Sequence, residues 1–152
     1  MNTLIDAAIK YLSNHYCSEK ELIRQLERDF SHVPELDAQI HATIVRLREL
    51  HLINDNRLAE SLSARYIHKG NRFIQQILKQ KGVKEEVIEQ ILEHIELEEV
   101  RALDEARKKM RGFKNDTDEA INTKLARFLS GRGFSHATIK TVLKQLSEEQ
   151  TT

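Results

Sequence analysis

The chain reads IQQILKQKGVKEEVIEQILEHI at residues 74–95 and LARFLSGRGFSHATIKTVLKQL at residues 125–146, 51 positions later. The apolar positions of the first stretch recur in the second, whereas the polar positions differ, and Gly82 recurs as Gly133. A period of this length is typical of tandem helical units, each of which is too small to bury its apolar face alone. The repeat therefore predicts a helical array rather than a fold built around one catalytic pocket.

The glycine in each copy separates two segments with apolar residues at helical spacing. Glycine adopts the left-handed backbone of a helix end without strain, and the apolar Val83 or Phe134 after it can pack back on the helix. We therefore expect Gly82 and Gly133 to be structural helix stops.

Other helix boundaries are marked by capping residues. Ser18 and Glu21 have the spacing of a capping box, and Pro34 suits the first position of a helix. Farther along, the eighth predicted helix can be capped by Thr117 or the preceding Asp116, and the ninth by Ser135.

No strand-like alternation stands out, so we predict an all-α fold of three tandem three-helix repeats that form an elongated, curved helical array. The expected repeats are residues 1–53, 54–97 and 98–152. The first is divergent and has no glycine in its middle turn, as expected for a terminal repeat with a neighbour on one side only. The last is expected to end in a short frayed tail after Leu146.

The composition of the 152 residues indicates a soluble, helix-favouring chain, with 32% charged residues, five glycines and one proline. No stretch approaches the ~20 apolar residues of a membrane span, and the N-terminus is too polar for a secretory signal. A single cysteine, Cys17, cannot form an internal disulfide, which fits a reducing compartment. We expect a cytoplasmic monomer that contacts no membrane.

The net charge is zero, so bulk charge alone gives no argument for nucleic-acid binding. The distribution is uneven: residues 65–84, 107–114 and 120–147 contain Lys and Arg but no acid, whereas residues 85–99 contain seven carboxylates and no Lys or Arg. Each block is consistent with a solvated helix face. Three basic blocks in a neutral chain nevertheless favour an anionic or acidic-surfaced partner, and the acidic face has a second interpretation, repulsion of DNA phosphates.

Catalytic and metal-binding patterns are weak. Cys17 and His15 are the only candidate nucleophile and base, and a turn cysteine with a chance neighbour explains them as well. The seven histidines lack zinc-site spacing, and residues 131–133 lack the preceding strand of a phosphate-binding loop. We expect no catalytic residue, no metal site and no cofactor.

A helix-turn-helix interpretation, with Thr138, Lys140, Thr141 and Lys144 in a DNA groove, is open beside simple repeat packing.

An ordered set of motifs resembles one known family. It comprises Ser-x-x-Glu-Leu at residues 18–22, Leu-Ile-Asn-Asp at 52–55, Lys-Gly before Ile-x-x-x-Leu at 69–78, Lys-Gly-Val at 81–83, and Phe-Leu-x-x-Arg-Gly-Phe at 128–134. Over residues 5–147 the chain is similar to the RecX regulatory proteins of bacteria.

The resemblance implies three three-helix units and a non-enzymatic regulator. It implies binding to the RecA–single-stranded-DNA filament, and inhibition of RecA ATPase, strand exchange and filament growth in recombination, DNA repair and the SOS response. Single-stranded DNA would be bound weakly or through RecA. The alternatives are a general nucleic-acid-binding protein without a dedicated protein partner and a helical adaptor for an unrelated protein.

The candidate partner contacts are basic residues of the second and third repeats. In the second repeat they are Arg65, Lys69, Arg72, Lys79 and Lys81. In the third they are Lys124, Arg127, Arg132, Lys140 and Lys144. Lys81 and Arg132 each precede a stop glycine, where a cation also interacts favourably with the carbonyl end of a helix.

Overall fold

The computed structural model describes residues 3–150, and all regular secondary structure in that range is α-helical. The helices are α1 (Leu4–Asn14), α2 (Glu19–Asp29), α3 (Leu36–Glu49), α4 (Asp55–Arg65), α5 (Asn71–Lys81), α6 (Glu85–His94), α7 (Glu98–Met110), α8 (Asp118–Gly131) and α9 (His136–Gln150). The predicted all-α class is confirmed.

The caps predicted from sequence are present. The Ser18 hydroxyl accepts the Glu21 amide at 3.1 Å, and the Glu21 carboxylate accepts the Ser18 amide at 3.0 Å, which completes the capping box of α2. Of the two candidates before α8, Thr117 is the cap, and it accepts the amide of Ala120 at 3.2 Å. Ser135 accepts the amide of Thr138 at 3.2 Å and so caps α9.

Gly82 and Gly133 are helix stops, as predicted, and both have φ of +87°. The Val83 amide donates to the Leu78 carbonyl at 3.0 Å, and the Phe134 amide donates to the Leu129 carbonyl at 3.2 Å. These hydrogen bonds satisfy carbonyls at the ends of α5 and α8, as in a Schellman motif. Val83 and Phe134 are both buried, so each stop also adds to the core.

Beyond the ends of α4 and α6, a side chain binds backbone carbonyls. Helix α4 ends at Arg65 and α6 ends at His94. The guanidinium of Arg101 donates to the Lys69 carbonyl at 2.5 Å and to the Glu96 carbonyl at 2.8 Å. Those carbonyls are therefore bonded outside a helical ladder.

The start of α3 and the end of α9 differ from the predictions. The third helix does not start at Pro34, because Glu35 has φ of 54° and α3 begins one residue later at Leu36. Helix α9 continues past Leu146 to Gln150, so residues 147–150 of the predicted frayed tail are helical. Thr151 and Thr152 lie outside the described residues.

The chain divides into two compact units. The first comprises Met1–Ser61 and Leu78–Ile88, and its core is a cluster of buried aliphatic residues from α1, α2 and α3. The second comprises Leu62–Ile77 and Glu89–Thr152, and its core is a cluster from α7, α8 and α9 that includes Phe134. The predicted second repeat contributes to both units, and the division into repeats at residues 54 and 98 stays a prediction.

Inside the first unit, two hydrogen bonds join the start of α2 to residues that follow it by more than thirty positions. The Ser18 hydroxyl donates to the Lys81 carbonyl, just before Gly82. The Asp55 carboxylate, at the start of α4, accepts the Glu19 amide at 3.0 Å. One aspartate therefore supplies an acceptor to an amide of the first turn of α2, which has no partner within its own helix.

The second unit repeats this arrangement at equivalent positions. The Gly70 amide, just before α5, donates to the Arg132 carbonyl at 2.8 Å, just before Gly133. Glu98, at the start of α7, accepts the Asn71 amide at 2.6 Å. A Cβ atom on Gly70 would overlap the backbone of Gly133, so only glycine permits this approach. We call the two arrangements the Lys81 junction and the Arg132 junction.

We expect Gly133→Val to lower the free energy of unfolding by about 1–2 kcal/mol or more, because a side chain resists positive φ. Its Cβ would also lie 2.7 Å from the Cβ of Phe73. Gly131→Ala is the matched control, since nothing lies within 4 Å of a Cβ at Gly131. Urea denaturation checks this, and equal midpoints for the two variants would contradict the assigned helix stop.

Candidate partner-binding surface

Glu98 fixes the starts of two helices in the second unit. Besides the Asn71 amide at α5, its carboxylate accepts the Ser135 hydroxyl at 2.9 Å and the Thr138 hydroxyl at 2.5 Å at the start of α9. Burial raises the pKa of Glu98, but the hydrogen bonds from Thr138, Asn71 and Ser135 together outweigh it and hold the pKa below its ordinary value. The carboxylate is therefore a structural anion.

Arg101, one turn after Glu98 on α7, adds hydrogen bonds near the start of α5. We call Glu98, Arg101 and their hydrogen-bond partners the frame. Its side chain donates to the Glu96 and Lys69 carbonyls and to the side-chain oxygen of Asn71, and the residue is only 4% exposed. Burial lowers the pKa of Arg101, and nearby carboxylates, Glu98 first, oppose that shift. The turn before α5 and the first residue of α5 are thus held by a buried charge with several partners.

A cleft of about 670 Å³ lies beside this frame, within the second unit. Its exposed rim carries Arg72 from the first turn of α5, Arg127 from α8, and His136 and Lys140 from α9. The structure therefore brings together three of the predicted basic residues. We call this feature the basic cleft.

The floor of the basic cleft is apolar. Phe134 and Ile139 are buried there, at 2% and 6% exposure, and Ala126 and Leu143 are half-buried. Thr123 and Ser130 add neutral polar atoms, and no carboxylate lines the cleft. In the described part of the chain, no hydrogen bond or ion pair engages the side chains of Arg72, Arg127 or Lys140, so their charges face solvent.

Lys79 and Lys81 are placed differently, because both are near acids in the first unit. The ammonium of Lys79 lies 3.9 Å from the carboxylate of Glu85, and that of Lys81 lies 3.6 Å from the carboxylate of Glu21. Exposed pairs of this kind contribute about 0–1 kcal/mol each. These two cations belong to neutralised pairs and lie outside the basic cleft.

Lys124 and Arg132 are in the second unit and contact both acids and rings. Lys124 lies 2.8 Å from the Asp116 carboxylate and 5.1 Å from the centre of the Phe113 ring. Arg132 lies 4.0 Å from the Glu105 carboxylate and 4.7 Å from the centre of the Phe128 ring. These geometries are those of cation–π contacts within the chain.

The remaining predicted residues are spread over the second unit. Arg65 stacks over Tyr66 at 5.6 Å and Lys69 over Phe73 at 4.9 Å, and neither lines the basic cleft. Lys144 is exposed on α9, also outside the cleft lining. Of the eight predicted contacts in the second unit, three therefore line the basic cleft and five do not.

Sequence reasoning missed three features of this region. His136 and the apolar floor complete the basic cleft, and Lys109 lies 5.1 Å from the Phe128 ring. Lys109 falls in the basic block 107–114, so the charge pattern contained a signal for it. Glu98 belongs to the acidic block 85–99, and its sequence context does not reveal that its half-buried carboxylate accepts four donors.

Among the described residues, no hydrogen bond joins His15 to Cys17, the two weak catalytic candidates. The His15 ring stacks on Tyr11 with centroids 4.0 Å apart, and its Nδ1 lies 3.0 Å from the Tyr11 carbonyl oxygen. Burial first, and then the charge of Glu21, raises the pKa of Cys17 to about 11, which keeps the thiol protonated near neutral pH. Among the described residues there is no group of three or more His, Cys, Asp or Glu suited to a metal ion.

The helix-turn-helix interpretation loses one of its residues. Thr138 is 4% exposed and its hydroxyl is bonded to Glu98, so it cannot reach a base edge.

Across residues 3–150, none of the helices combines the length and apolar character needed to cross a bilayer.

Family models match two parts of the chain. The second three-helix domain of RecX matches residues 54–92 and the third matches residues 97–143. A relative named "Regulatory protein RecX" from Chlorobium phaeobacteroides is 36% identical over 145 residues, covering 93% of this chain and 91% of its own length. The chain belongs to the RecX family.

Other RecX relatives are longer than this chain. The protein from Enterococcus faecalis is 32% identical over 151 residues, which cover 96% of this chain and 55% of the relative. One from Streptococcus agalactiae is 28% identical and is likewise covered over 54% of its length. The chain therefore spans about half the length of these two relatives and nearly all of the Chlorobium protein.

Solved RecX structures have the same fold. The crystal structure of RecX from Lactobacillus salivarius is similar with a TM-score of 0.79 and 27% identity, covering 95% of this chain and 94% of the other. A second structure, of a regulatory protein RecX, is similar in fold with a TM-score of 0.69 and 24% identity, covering 91% and 69% of the two chains.

We expect Glu98→Gln to destabilise this RecX-family chain by about 1–3 kcal/mol near pH 7, because buried donors lose a charged acceptor. The native pKa of Glu98 is lowered, so its contribution is present above the unfolded pKa of about 4.3 and is lost as the pH falls through the native pKa.

Urea denaturation of both proteins at neutral pH and at a series of pH values below the unfolded pKa of about 4.3 checks this expectation. The stability difference should shrink at low pH. A difference that does not change with pH would show that the carboxylate charge has no part in the frame. Glu93→Gln, which changes an exposed acid of α6, is a control for the loss of one negative charge.

Proposed function

We propose that this chain binds the RecA–single-stranded-DNA filament and inhibits RecA ATPase, strand exchange and filament growth. This inhibition would act in recombination, DNA repair and the SOS response. Membership of the RecX family supports a regulatory role, since the relatives carry the name "Regulatory protein RecX". The chain would act in the cytoplasm as a monomer, without catalysis or a cofactor.

The basic cleft is the observation that carries this proposal. Arg72, Arg127 and Lys140 come from three different helices, yet their side chains line one cleft and none has an acidic partner in the described chain. Uncompensated cations that converge in this way raise the local positive potential and attract an anionic surface. The DNA backbone of the filament is anionic, and an acidic surface on RecA would serve in the same way.

Binding through RecA is better supported than binding to DNA alone. Most of the predicted cations outside the basic cleft are close to acids or over aromatic rings of the same chain. The Phe128 ring, one candidate for base stacking in the second unit, is already contacted by Lys109 and Arg132. We therefore propose weak binding to naked single strands and tighter binding to RecA-coated ones.

We expect titration of this chain to inhibit RecA ATPase on single-stranded DNA. The variant Arg127→Glu/Lys140→Glu should need roughly tenfold more protein for half-inhibition, because each exposed contact contributes about 0–1 kcal/mol and reversal adds repulsion. Arg111→Glu/Lys114→Glu is the matched control, since it makes the same charge change at exposed positions outside the cleft. RecA turnover unaffected by the parent chain would exclude the proposed function.

Salt dependence separates this function from general nucleic-acid binding. Phosphate contacts lower affinity for single strands by a log–log slope of about −0.7 per neutralised phosphate. At equal salt we expect weaker binding to oligo(dT) than to RecA-coated oligo(dT), measured by fluorescence anisotropy. Equal affinities, combined with a steep slope on naked DNA, would favour the general nucleic-acid-binding protein instead.

A further inference from the structure

We propose that the basic cleft receives an acidic segment of a protein partner, with an apolar side chain of that segment seated on the cleft floor. This inference rests on the proposed function in one respect, that the segment belongs to the filament protein. It goes beyond that function because it selects protein rather than nucleic acid as the occupant of this cleft.

The charge of the cleft selects an anion. Arg72, Arg127 and Lys140 line it together with His136, and no Asp or Glu lies among the lining residues. An acidic segment would supply the carboxylates that these side chains lack within the described chain. Arg72 and Arg127 can each bind a carboxylate with two parallel N–H donors, which fixes the orientation of the segment.

The floor selects an apolar side chain between those carboxylates. The half-buried Ala126 and Leu143 present aliphatic surface above the buried Ile139, and the cleft volume of about 670 Å³ lies in the range of specific binding pockets. Burial of one large side chain there removes apolar surface of both partners from water. A purely acidic segment would leave this surface uncovered.

The same floor is unsuited to a nucleic-acid strand. Proteins that bind single strands present aromatic rings on which bases stack. Of the two aromatic rings that line the cleft in the described chain, Phe134 on the floor is 2% exposed and so is not available as a platform, and the His136 imidazole lies on the rim as a single ring rather than a series of platforms. Phosphates alone would use the cations but not the aliphatic floor.

The cleft residues are held before any partner binds. Arg72 lies in the first turn of α5, which Glu98 and Arg101 fix through Asn71. His136 and Lys140 lie on α9, whose start is bonded to the same Glu98 through Ser135 and Thr138. Helix starts that are already held lose little backbone freedom on binding, so the cost of ordering falls on the rim side chains alone, which favours recognition of a short segment.

The test measures binding of a short fluorescein-labelled peptide in which Asp and Glu residues flank a central Phe. We expect it to bind the parent chain about tenfold more tightly than the same peptide with Ser in place of Phe, and more tightly than labelled oligo(dT). Arg127→Glu/Lys140→Glu should weaken peptide binding by about tenfold or more, whereas Arg111→Glu/Lys114→Glu should leave it unchanged.

Each other result overturns the proposal. Equal binding of the Phe and Ser peptides would remove the role of the floor, and tighter binding of oligo(dT) through the cleft would assign it to nucleic acid. A dimer that the cleft variant disrupts, seen by sedimentation, would assign it to a second copy of the chain. Loss of peptide binding in the control variant would show general charge attraction.

The RecA ATPase assay keeps the two proposals distinguishable. Inhibition of RecA without binding of the Phe peptide would reject the cleft occupant and retain the proposed function. Binding of the Phe peptide without inhibition of RecA would retain the occupant and reject the proposed partner. Circular dichroism of each variant confirms that the helical content is unchanged.

Discussion

The carbonyl before each stop glycine accepts a hydrogen bond from the start of another helix, and the arrangement of the helices depends on that contact. At the Lys81 junction the donor is the Ser18 hydroxyl, and at the Arg132 junction it is the Gly70 amide. The chain can make both bonds because Gly82 and Gly133 turn through φ of +87°, which ends one helix and leaves the preceding carbonyl accessible. Gly70 adds the close backbone approach that a side chain would prevent.

An acid strengthens each junction, but the two acids are in different electrostatic states. Asp55 accepts one amide, and burial, the largest effect, raises its pKa despite that hydrogen bond and the nearby Lys84 and Arg48. Glu98 accepts several donors, which together lower its pKa. The second unit therefore contains the more strongly stabilised anion, and it is also the unit in which the basic cleft lies beside that anion's helices.

Whether each cation is paired within the chain or free to contact a partner depends on its neighbours in the fold rather than on its sequence block. Lys79 and Arg72 belong to the same basic block, yet Lys79 lies near Glu85 and Arg72 faces the cleft. Lys124 and Arg127 are one turn apart on α8, and only Lys124 has an acid nearby. A long side chain can reach partners from several elements, so its availability for another molecule is a property of the fold.

The sequence by itself determined the helices, the two stop glycines and the capping residues, because these depend on interactions within a few residues and on the repeated apolar spacing. It also identified the basic residues from which a partner surface is made. Only the tertiary structure decided which of them act together. Arg72 lies more than fifty residues before Arg127 in the chain, and their convergence requires Gly70 to contact Arg132 and Glu98 to hold the starts of α5 and α9. Those long-range hydrogen bonds cannot be inferred from the apolar repeat, since the polar groups that make them lie far apart in the chain and take no part in the apolar spacing.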